Sequence, residues 1–272
     1  MKIFGILAHP AGHSLSPAMH NAAFSKLNIK ANFKFFDIKE KDLKKFFSQV
    51  KTEKITGLAV SIPYKEKIFP FLDQIDDVVR STGSINTVFW KNNKLCGSNT
   101  DVFGFSKALQ EKYQVAKKNV LIFGAGGSAR SVIFSLKTLK AKKIFLWARK
   151  IEQSKKLAQN FKINFLPSSL DEIDFQQFDL VINTTPLGMW PQENNCVLPK
   201  KFWKKFSAAF DLVMNPQKTK FLQYAQEINA KTIFGYKMLL YQGMRQFEIW
   251  HQRKAPLKLM EEVLLEKLKQ DS

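Results

Sequence analysis

Residues 120–130 read Val120-Leu121-Ile122-Phe123-Gly124-Ala125-Gly126-Gly127-Ser128-Ala129-Arg130. An apolar run leads into a glycine-rich turn, and an apolar-striped stretch follows through about Leu139. That succession predicts strand, tight turn and helix. Gly124 suits the tight turn, and Gly126 lets the backbone approach a pyrophosphate. Ala129, in the last position of GxGxx[GA], is small enough for the helix to pack on the strand. The first helical turn then offers unpaired N–H groups and a positive dipole end to phosphates. Glycine turns also occur in α/β domains that bind no nucleotide, so the flanking strand and helix carry the reading.

Downstream the pattern repeats. Lys143–Trp147, Leu180–Asn183, Ala208–Val213 and Thr232–Phe234 read as strands, and Glu152–Asn160 and Thr219–Ile228 as helices. Strands alternating with helices imply parallel β-α-β units. At the end of the strand after the turn, NAD enzymes carry an acid for the ribose 2′-hydroxyl, about 20 residues on. This chain has Ala148-Arg149-Lys150 there. No acid stands there to repel a 2′-phosphate, and the forked guanidinium of Arg149 can bind one. NADP is therefore expected over NAD.

Upstream, Ile3–Ala8, Phe33–Ile38 and Gly57–Ile62 read as strands, and Glu40–Val50 and Asp73–Arg80 as helices. Ser16-Pro17 predicts a helix start with Ser16 as N-cap and Pro17 at the first helical position. Asn86–Trp90 and Lys94–Cys96 flank Asn92-Asn93, a hairpin signature. The tail from about Lys237 to Lys269 reads as two amphipathic helices parted near Pro256. The alternation breaks near Phe103 and again near Tyr236, so two domains are expected in the 272 residues.

Composition narrows the function classes. Lys plus Arg number 43 against 23 Asp plus Glu, formally +20. Such a field attracts anions: nucleic acid, or a phosphate-bearing cofactor with a carboxylate substrate. The lysines lie in short scattered groups such as Lys44–Lys45, Lys142–Lys143 and Lys200–Lys201, which is the pattern of a solvated surface. Nucleic acid is therefore not expected as a partner. Cys96 and Cys196 form no CxxC pair and no cluster with the four histidines, so no metal is expected. Few cysteines fit a reducing compartment. Pro10 and His13 interrupt the N-terminal apolar run, and no run approaches the roughly 20 residues of a membrane helix. A cytoplasmic protein without membrane contact is expected. A homodimer is left open.

The first half also places polar residues where apolar strands end. In His13-Ser14-Leu15-Ser16-Pro17 two hydroxyls precede a helix, where they can hold a carboxylate or simply cap. Lys65 follows Ser61-Ile62-Pro63-Tyr64 at a strand-to-helix corner, and Asp101 closes Gly97-Ser98-Asn99-Thr100-Asp101. Nothing in the spacing brings Lys65 and Asp101 together.

With Met19-His20-Asn21, Gly83-Ser84-Ile85-Asn86-Thr87, Asn99-Thr100-Asp101-Val102-Phe103-Gly104, Asn183-Thr184-Thr185-Pro186-Leu187-Gly188-Met189, Pro216-Gln217-Lys218-Thr219 and Gly235-Tyr236-Lys237-Met238-Leu239-Leu240-Tyr241-Gln242, these motifs follow one another in order. In that order the chain resembles the shikimate dehydrogenase family over nearly its full length. The resemblance implies a discontinuous N-terminal α/β substrate domain, 1–102 with 237–272, and a Rossmann-like dinucleotide-binding domain with a parallel sheet, 103–236. It implies an active site in the cleft, with Lys65 and Asp101 as the catalytic pair. Ser14 and Ser16 would bind the substrate carboxylate, and Ser61, Asn86 and Gln242 the ring hydroxyls. Gly124, Ala125, Gly126, Gly127, Ser128 and Ala129 would hold the pyrophosphate, and Arg149 and Lys150 the 2′-phosphate. Thr184, Gly235 and Met238 would lie by the cofactor rings. The implied reaction is reversible, NADP(H)-dependent reduction of 3-dehydroshikimate to shikimate in aromatic amino acid (chorismate) biosynthesis. Lys65 would donate the proton to the carbonyl oxygen.

Three departures stand out. Ala59 replaces the family's usual Asn, Ser61 replaces Thr, and Met214 stands where a Tyr is frequent. Losing the Tyr hydroxyl removes one hydrogen bond, roughly 0.5–1.5 kcal/mol. Two readings compete: a dual shikimate/quinate dehydrogenase, using NADP or NAD, and a non-catalytic nucleotide-binding regulator. The Ser pair with Arg149 argues against the first, and the presence of both Lys65 and Asp101 against the second.

Overall fold

A computed structural model describes residues 1–166 and 169–270; the stretch expected to run over 237–272 is thus described to Gln270. In chain order the first elements are β1 (Lys2–Ala8), α1 (Ser16–Lys26), β2 (Ala31–Asp37), α2 (Leu43–Thr52), β3 (Gly57–Val60), β4 (Gln74–Ile75) and α3 (Asp77–Thr82). They are followed by β5 (Thr87–Lys91), β6 (Lys94–Ser98), α4 (Asp101–Gln110), β7 (Asn119–Phe123), α5 (Gly127–Thr138), β8 (Lys143–Trp147), α6 (Ile151–Phe161) and β9 (Asn164–Phe165). The last are β10 (Leu180–Asn183), β11 (Ala208–Asp211), α7 (Lys220–Glu227), β12 (Lys231–Phe234), α8 (Gly235–His251) and α9 (Leu257–Gln270). The chain divides into two compact units, one made of Met1–Phe103 with Leu239–Lys269 and the other of Gly104–Met238.

The first unit is built on a mixed sheet of order β2-β1-β3-β5-β6-β4. Strands β1, β2 and β3 are parallel, and β5 runs antiparallel to both β3 and β6. The hairpin turn is the asparagine pair: Asn92 and Asn93 both have positive φ, 49° and 59°, as a type I′ turn requires. Alternation along the strands sorts the two faces. Leu7, Leu58 and Val60 pack with Leu43, Phe46, Phe47 and Val50 of α2. Phe4 faces the other way, its ring packing tilted against Phe24 on α1 at 5.4 Å and Trp250 on α8 at 5.2 Å. Each such buried aromatic contributes roughly 1.5–3 kcal/mol of transfer free energy.

The second unit holds an all-parallel sheet of order β12-β11-β10-β7-β8-β9. Numbered within this unit, that is the 3-2-1-4-5-6 order of doubly wound dinucleotide-binding domains. The order reverses between β7 and β10, and ligands bind such sheets at the carboxyl ends of the strands beside that reversal. The expected α/β class with a parallel sheet in this half is what the chain forms.

Two helix starts differ from expectation. Ser16 is not an N-cap: Leu15 occupies that position with near-helical dihedrals (φ −85°, ψ −6°), and no side-chain cap bond closes there. The helix begins one residue earlier than read, and it is Ser14 Oγ that accepts the Ser16 N–H, at 3.3 Å. The helix read at Asp73–Arg80 instead spans Asp77–Thr82, because Asp76 caps it by accepting the Val79 N–H. Asp73 serves the sheet, taking the Leu95 N–H on Oδ2 at 2.7 Å.

Candidate functional site

The glycine turn sits at the carboxyl end of β7. Gly124 has φ +107°, a region L side chains rarely adopt, and a Cβ there would meet Thr184 Oγ1 at 2.6 Å. Thr184, at the end of β10, donates its hydroxyl to the Phe123 carbonyl at 2.7 Å. The two sides of the sheet reversal are thereby locked together. Gly126 is a different case: nothing lies within 4 Å of an added Cβ, so no packing demand within the chain explains this glycine. It is the N-cap of α5, exposed, and makes no side-chain cap bond to the first turn. Bare helix-end N–H groups beside open space fit a pyrophosphate. Ala129 is fully buried and Ala125 nearly so, while Gly127 and Ser128 are half-buried.

Arg149 and Lys150 follow β8 and are exposed, Lys150 standing at the N-cap of α6. Two cations beside the turn fit a 2′-phosphate. Met238 is buried. Gly235 has a reason of its own, since a Cβ would strike the Val213 carbonyl oxygen at 2.4 Å.

The first unit gathers a polar centre from distant segments. Lys65 Nζ lies 2.5 Å from Asp101 Oδ2, with side chains only 13% and 6% exposed. A buried ion pair is tolerable only when its remaining polar valences are met. Asn86 does this, donating Nδ2 to Asp101 Oδ1 at 2.8 Å and to Gln242 Oε1 at 3.1 Å. Asn86 Oδ1 in turn accepts the Thr100 N–H at 2.7 Å. Lys65 is held near Asn86 by its backbone, its carbonyl accepting the Ile85 N–H at 2.8 Å. Asp101 opens α4, with Asn99 Oδ1 accepting its N–H at 3.0 Å. Lys65, however, lies in a run of turns after β3, not at a strand-to-helix corner, because three 3-10 residues (Phe69–Phe71) are all the helix that follows.

Ser61 and Ser14 are half-buried, and Ser16 is buried. The structure thus brings Lys65, Asp101, Asn86 and Gln242 into one network. The hydrogen bonds tie neither Ser14, Ser16 nor Ser61 into it. Ala59, one of the family departures, is buried in β3 opposite Thr87.

Sequence reading missed the supports. Gln246 is 1% exposed and bonds to the Asn86 carbonyl; its signal was the Gln242/Gln246 pair, one turn apart within an otherwise apolar helix face. Asp211, fully buried, holds the loop after β10: Oδ1 accepts Asn183 Nδ2 at 2.9 Å and Oδ2 accepts the Thr219 hydroxyl at 2.6 Å. Burial pushes its pKa up to about 7. Its signal was a lone acid closing the apolar run Ala208–Phe210. Among the described residues no helix is long and apolar enough to cross a membrane, and no cluster of His, Cys, Asp or Glu could hold a metal.

Three family models match successive segments. Residues 6–88 match the shikimate dehydrogenase substrate binding domain, 106–188 match shikimate / quinate 5-dehydrogenase, and 235–265 match the shikimate 5'-dehydrogenase C-terminal domain. The chain is 40% identical to a shikimate dehydrogenase (NADP(+)) of Clostridium perfringens strain 13, over 99% of each chain. A shikimate dehydrogenase solved in complex with NADP+ superposes with TM-score 0.92 at 34% identity, over 98% of this chain and 96% of that one. The Thermus thermophilus shikimate 5-dehydrogenase, solved with NADP(H) and shikimate, gives 0.89 at 30%, over 98% and 99%.

Proposed function

The chain belongs to the shikimate dehydrogenase family, and from that premise we propose that it catalyses the reversible, NADP-dependent reduction of 3-dehydroshikimate to shikimate, in aromatic amino acid (chorismate) biosynthesis in the cytoplasm. The observation that carries this reading is the Lys65–Asp101 pair with Asn86 and Gln242 gathered on it. NADP, when bound, supplies or accepts the hydride.

The chain's own residues do the rest. Asp101 is the one partner seen for the Lys65 ammonium among the described residues, which leaves two of its N–H donors for a substrate oxygen. Lys65 gives that oxygen its proton on reduction and takes it back on oxidation, and Asp101 keeps the ammonium aimed. Gln242 and Asn86 bind ring hydroxyls, joined by Ser61. Ser14 and Ser16 bind the carboxylate. Ser16 is free for this because its hydroxyl is not the helix cap. Gly124, Ala125, Gly126, Gly127, Ser128 and Ala129 hold the pyrophosphate, Arg149 and Lys150 the 2′-phosphate, and Thr184, Gly235 and Met238 flank the rings.

A second reading is use of quinate beside shikimate. It is favoured by the shikimate / quinate model matched over 106–188 and by Met214 in place of a Tyr. Absorbance at the NADPH band, with shikimate or quinate and NADP+ or NAD+ supplied in all four pairings, tests both. The expected outcome is the fastest reduction with shikimate and NADP+. No reduction in any pairing overturns the assignment, and dominant quinate turnover replaces it with the second reading.

A further inference from the structure

Beneath the Lys65–Asp101 pair runs a set of buried polar contacts that the roles above leave unassigned. Gln246 reaches Asn86 from behind: its Nε2 donates to the Asn86 carbonyl at 2.9 Å and lies 3.2 Å from Thr87 Oγ1. The Thr87 hydroxyl donates to Asn86 Oδ1 at 2.8 Å. With Oδ1 engaged by Thr87 and by the Thr100 N–H, the Asn86 amide has one way to face. Its Nδ2 then points at Asp101 Oδ1 and Gln242 Oε1. If the Gln246 amide turned over, an oxygen would face the Asn86 carbonyl oxygen, and Thr87 would lose its orientation.

The other end of Gln246 bears on that turn. Its Oε1 is buried without a partner. The neighbouring polar side chain is His20, fully buried; its ring interacts with the Gln246 side chain, although neither ring nitrogen meets strict hydrogen-bond geometry. The ring lies flat on Phe33, centroids 4.6 Å apart and planes at 4°. Burial lowers its pKa to about 3, so the imidazole is neutral and carries one N–H. Buried polar groups find partners as a rule, and these unpaired atoms belong to adjacent side chains, donor against acceptor. Ala59 adds a reason for the arrangement. It is the register partner of Thr87, so the two side chains share a sheet face. Ala59 offers Thr87 no polar partner, and Gln246 on α8 supplies one from the helix.

We propose that His20 and Gln246 form a positioning pair, in which the imidazole N–H fixes the Gln246 amide and Gln246 fixes Asn86, and through it the Lys65–Asp101 centre. The proposal rests on the assignment of Lys65 and Asp101 as the acid–base pair.

The test uses full-length enzyme carrying Gln246→Met, which keeps the length but removes donor and acceptor, or His20→Phe, which keeps the stack on Phe33. Both should lower kcat by roughly 10–10²-fold, as small misplacements of catalytic groups do. Both should also move the pH profile of kcat while leaving KM for NADP+ unchanged. A contact that served folding alone would lower the yield of active enzyme without moving that profile. His20→Asn, which restores an N–H donor, should recover part of the loss. Wild-type kcat and an unmoved profile in both Gln246→Met and His20→Phe would overturn the pair. Should these variants fail to fold, or the wild type prove inactive with shikimate, nitrogen-15 NMR of the wild-type histidine rings decides. One exchange-protected ring N–H on His20 supports the pair, and a His20 ring that titrates between pH 5 and 8 overturns it. Wild-type inactivity with a protected ring would break the functional assignment and not the pair.

Discussion

The glycine turn occupies consecutive residues, Gly124 to Ala129, whereas the centre around Lys65 draws on residues as far apart as Asn86 and Gln242. The turn works through its backbone. What it demands of the sequence is the absence of side chains, and that demand is written locally, as glycines between a strand and a helix. The polar centre works through side chains that only the sheet order brings together: β3, β5 and β6 are neighbours, and α8 packs its Trp250 on the same sheet. A backbone site announces itself in one window of sequence. A side-chain site is visible only after the strands have been ordered.

The largest expected effect tests whether the dispersed centre acts as a unit. Lys65→Ala should lower turnover by ~10²–10⁴ with a much smaller change in KM for shikimate, the usual worth of a positioned proton donor. Asp101→Asn should do comparable damage, because an amide can accept the ammonium's hydrogen bond but supplies no countercharge. In steady-state kinetics the double variant should be scarcely worse than either single one, since groups acting together are non-additive. Full multiplication of the two losses would show two independent roles.

The next effect dissects the compact site. Gly124 and Gly126 sit two residues apart, and the structure gives them opposite reasons. Gly124→Ala forces a Cβ onto Thr184 in a strained backbone region and should cost about 1–3 kcal/mol in urea unfolding. Gly126→Ala meets nothing, so its stability should stay within about 0.5 kcal/mol of wild type. Its KM for NADP+ should nevertheless rise, because the added methyl takes the space a pyrophosphate needs. Equal stability losses in both variants would mean that Gly126, too, is a folding residue.

A smaller effect separates the cofactors. Arg149→Ala should weaken NADP+ by roughly tenfold, the low end for a charge-assisted hydrogen bond because Arg149 is exposed. NAD+ lacks the 2′-phosphate and should be unaffected. Equal weakening of both would leave Arg149 as a surface charge, with Lys150 next to be tested.

How much was legible follows the same division. The parallel sheet, the glycine turn and the hairpin at Asn92-Asn93 were readable because strand alternation and positive-φ residues are local signals. The helix start was misread at Ser16 because Leu15 takes up near-helical dihedrals first, and at Asp73 because a second aspartate, Asp76, three residues on, is the better-placed cap. The juxtaposition of Lys65 with Asp101 came from family resemblance, and no spacing rule could have supplied it. Asp211 escaped because it is a single acid closing an apolar strand, and Gln246 because its helix also carries exposed charged residues such as Arg245. Such a residue cannot be told from a surface position until its burial is known.

Asp211 provides the effect most specific to burial, one spread over several pH units. Its carboxyl is fully buried at the end of β11, and burial raises its pKa from 3.8 to about 7 in the folded chain. Below pH 4 the side chain is protonated folded and unfolded alike, so it adds no pH dependence. Between pH 4 and 7 the unfolded chain releases the proton and the folded chain keeps it. The folded state then binds more protons, and stability falls as pH rises, by at most about 1.4 kcal/mol per unit. Asp211→Asn mimics the protonated acid. Its Oδ1 can still accept from Asn183 and Val213, and its amide can donate to the Thr219 hydroxyl. Urea unfolding across pH 4.5–7.5 should therefore show wild type losing stability relative to Asp211→Asn as pH rises, with the two converging at the acid end. Parallel curves would mean that Asp211 is ionised in the folded chain, its three hydrogen bonds outweighing its burial. The loop after β10 would then be held by a charge, much as the Lys65 centre is, and the contrast between the two regions would narrow to their spacing in sequence alone.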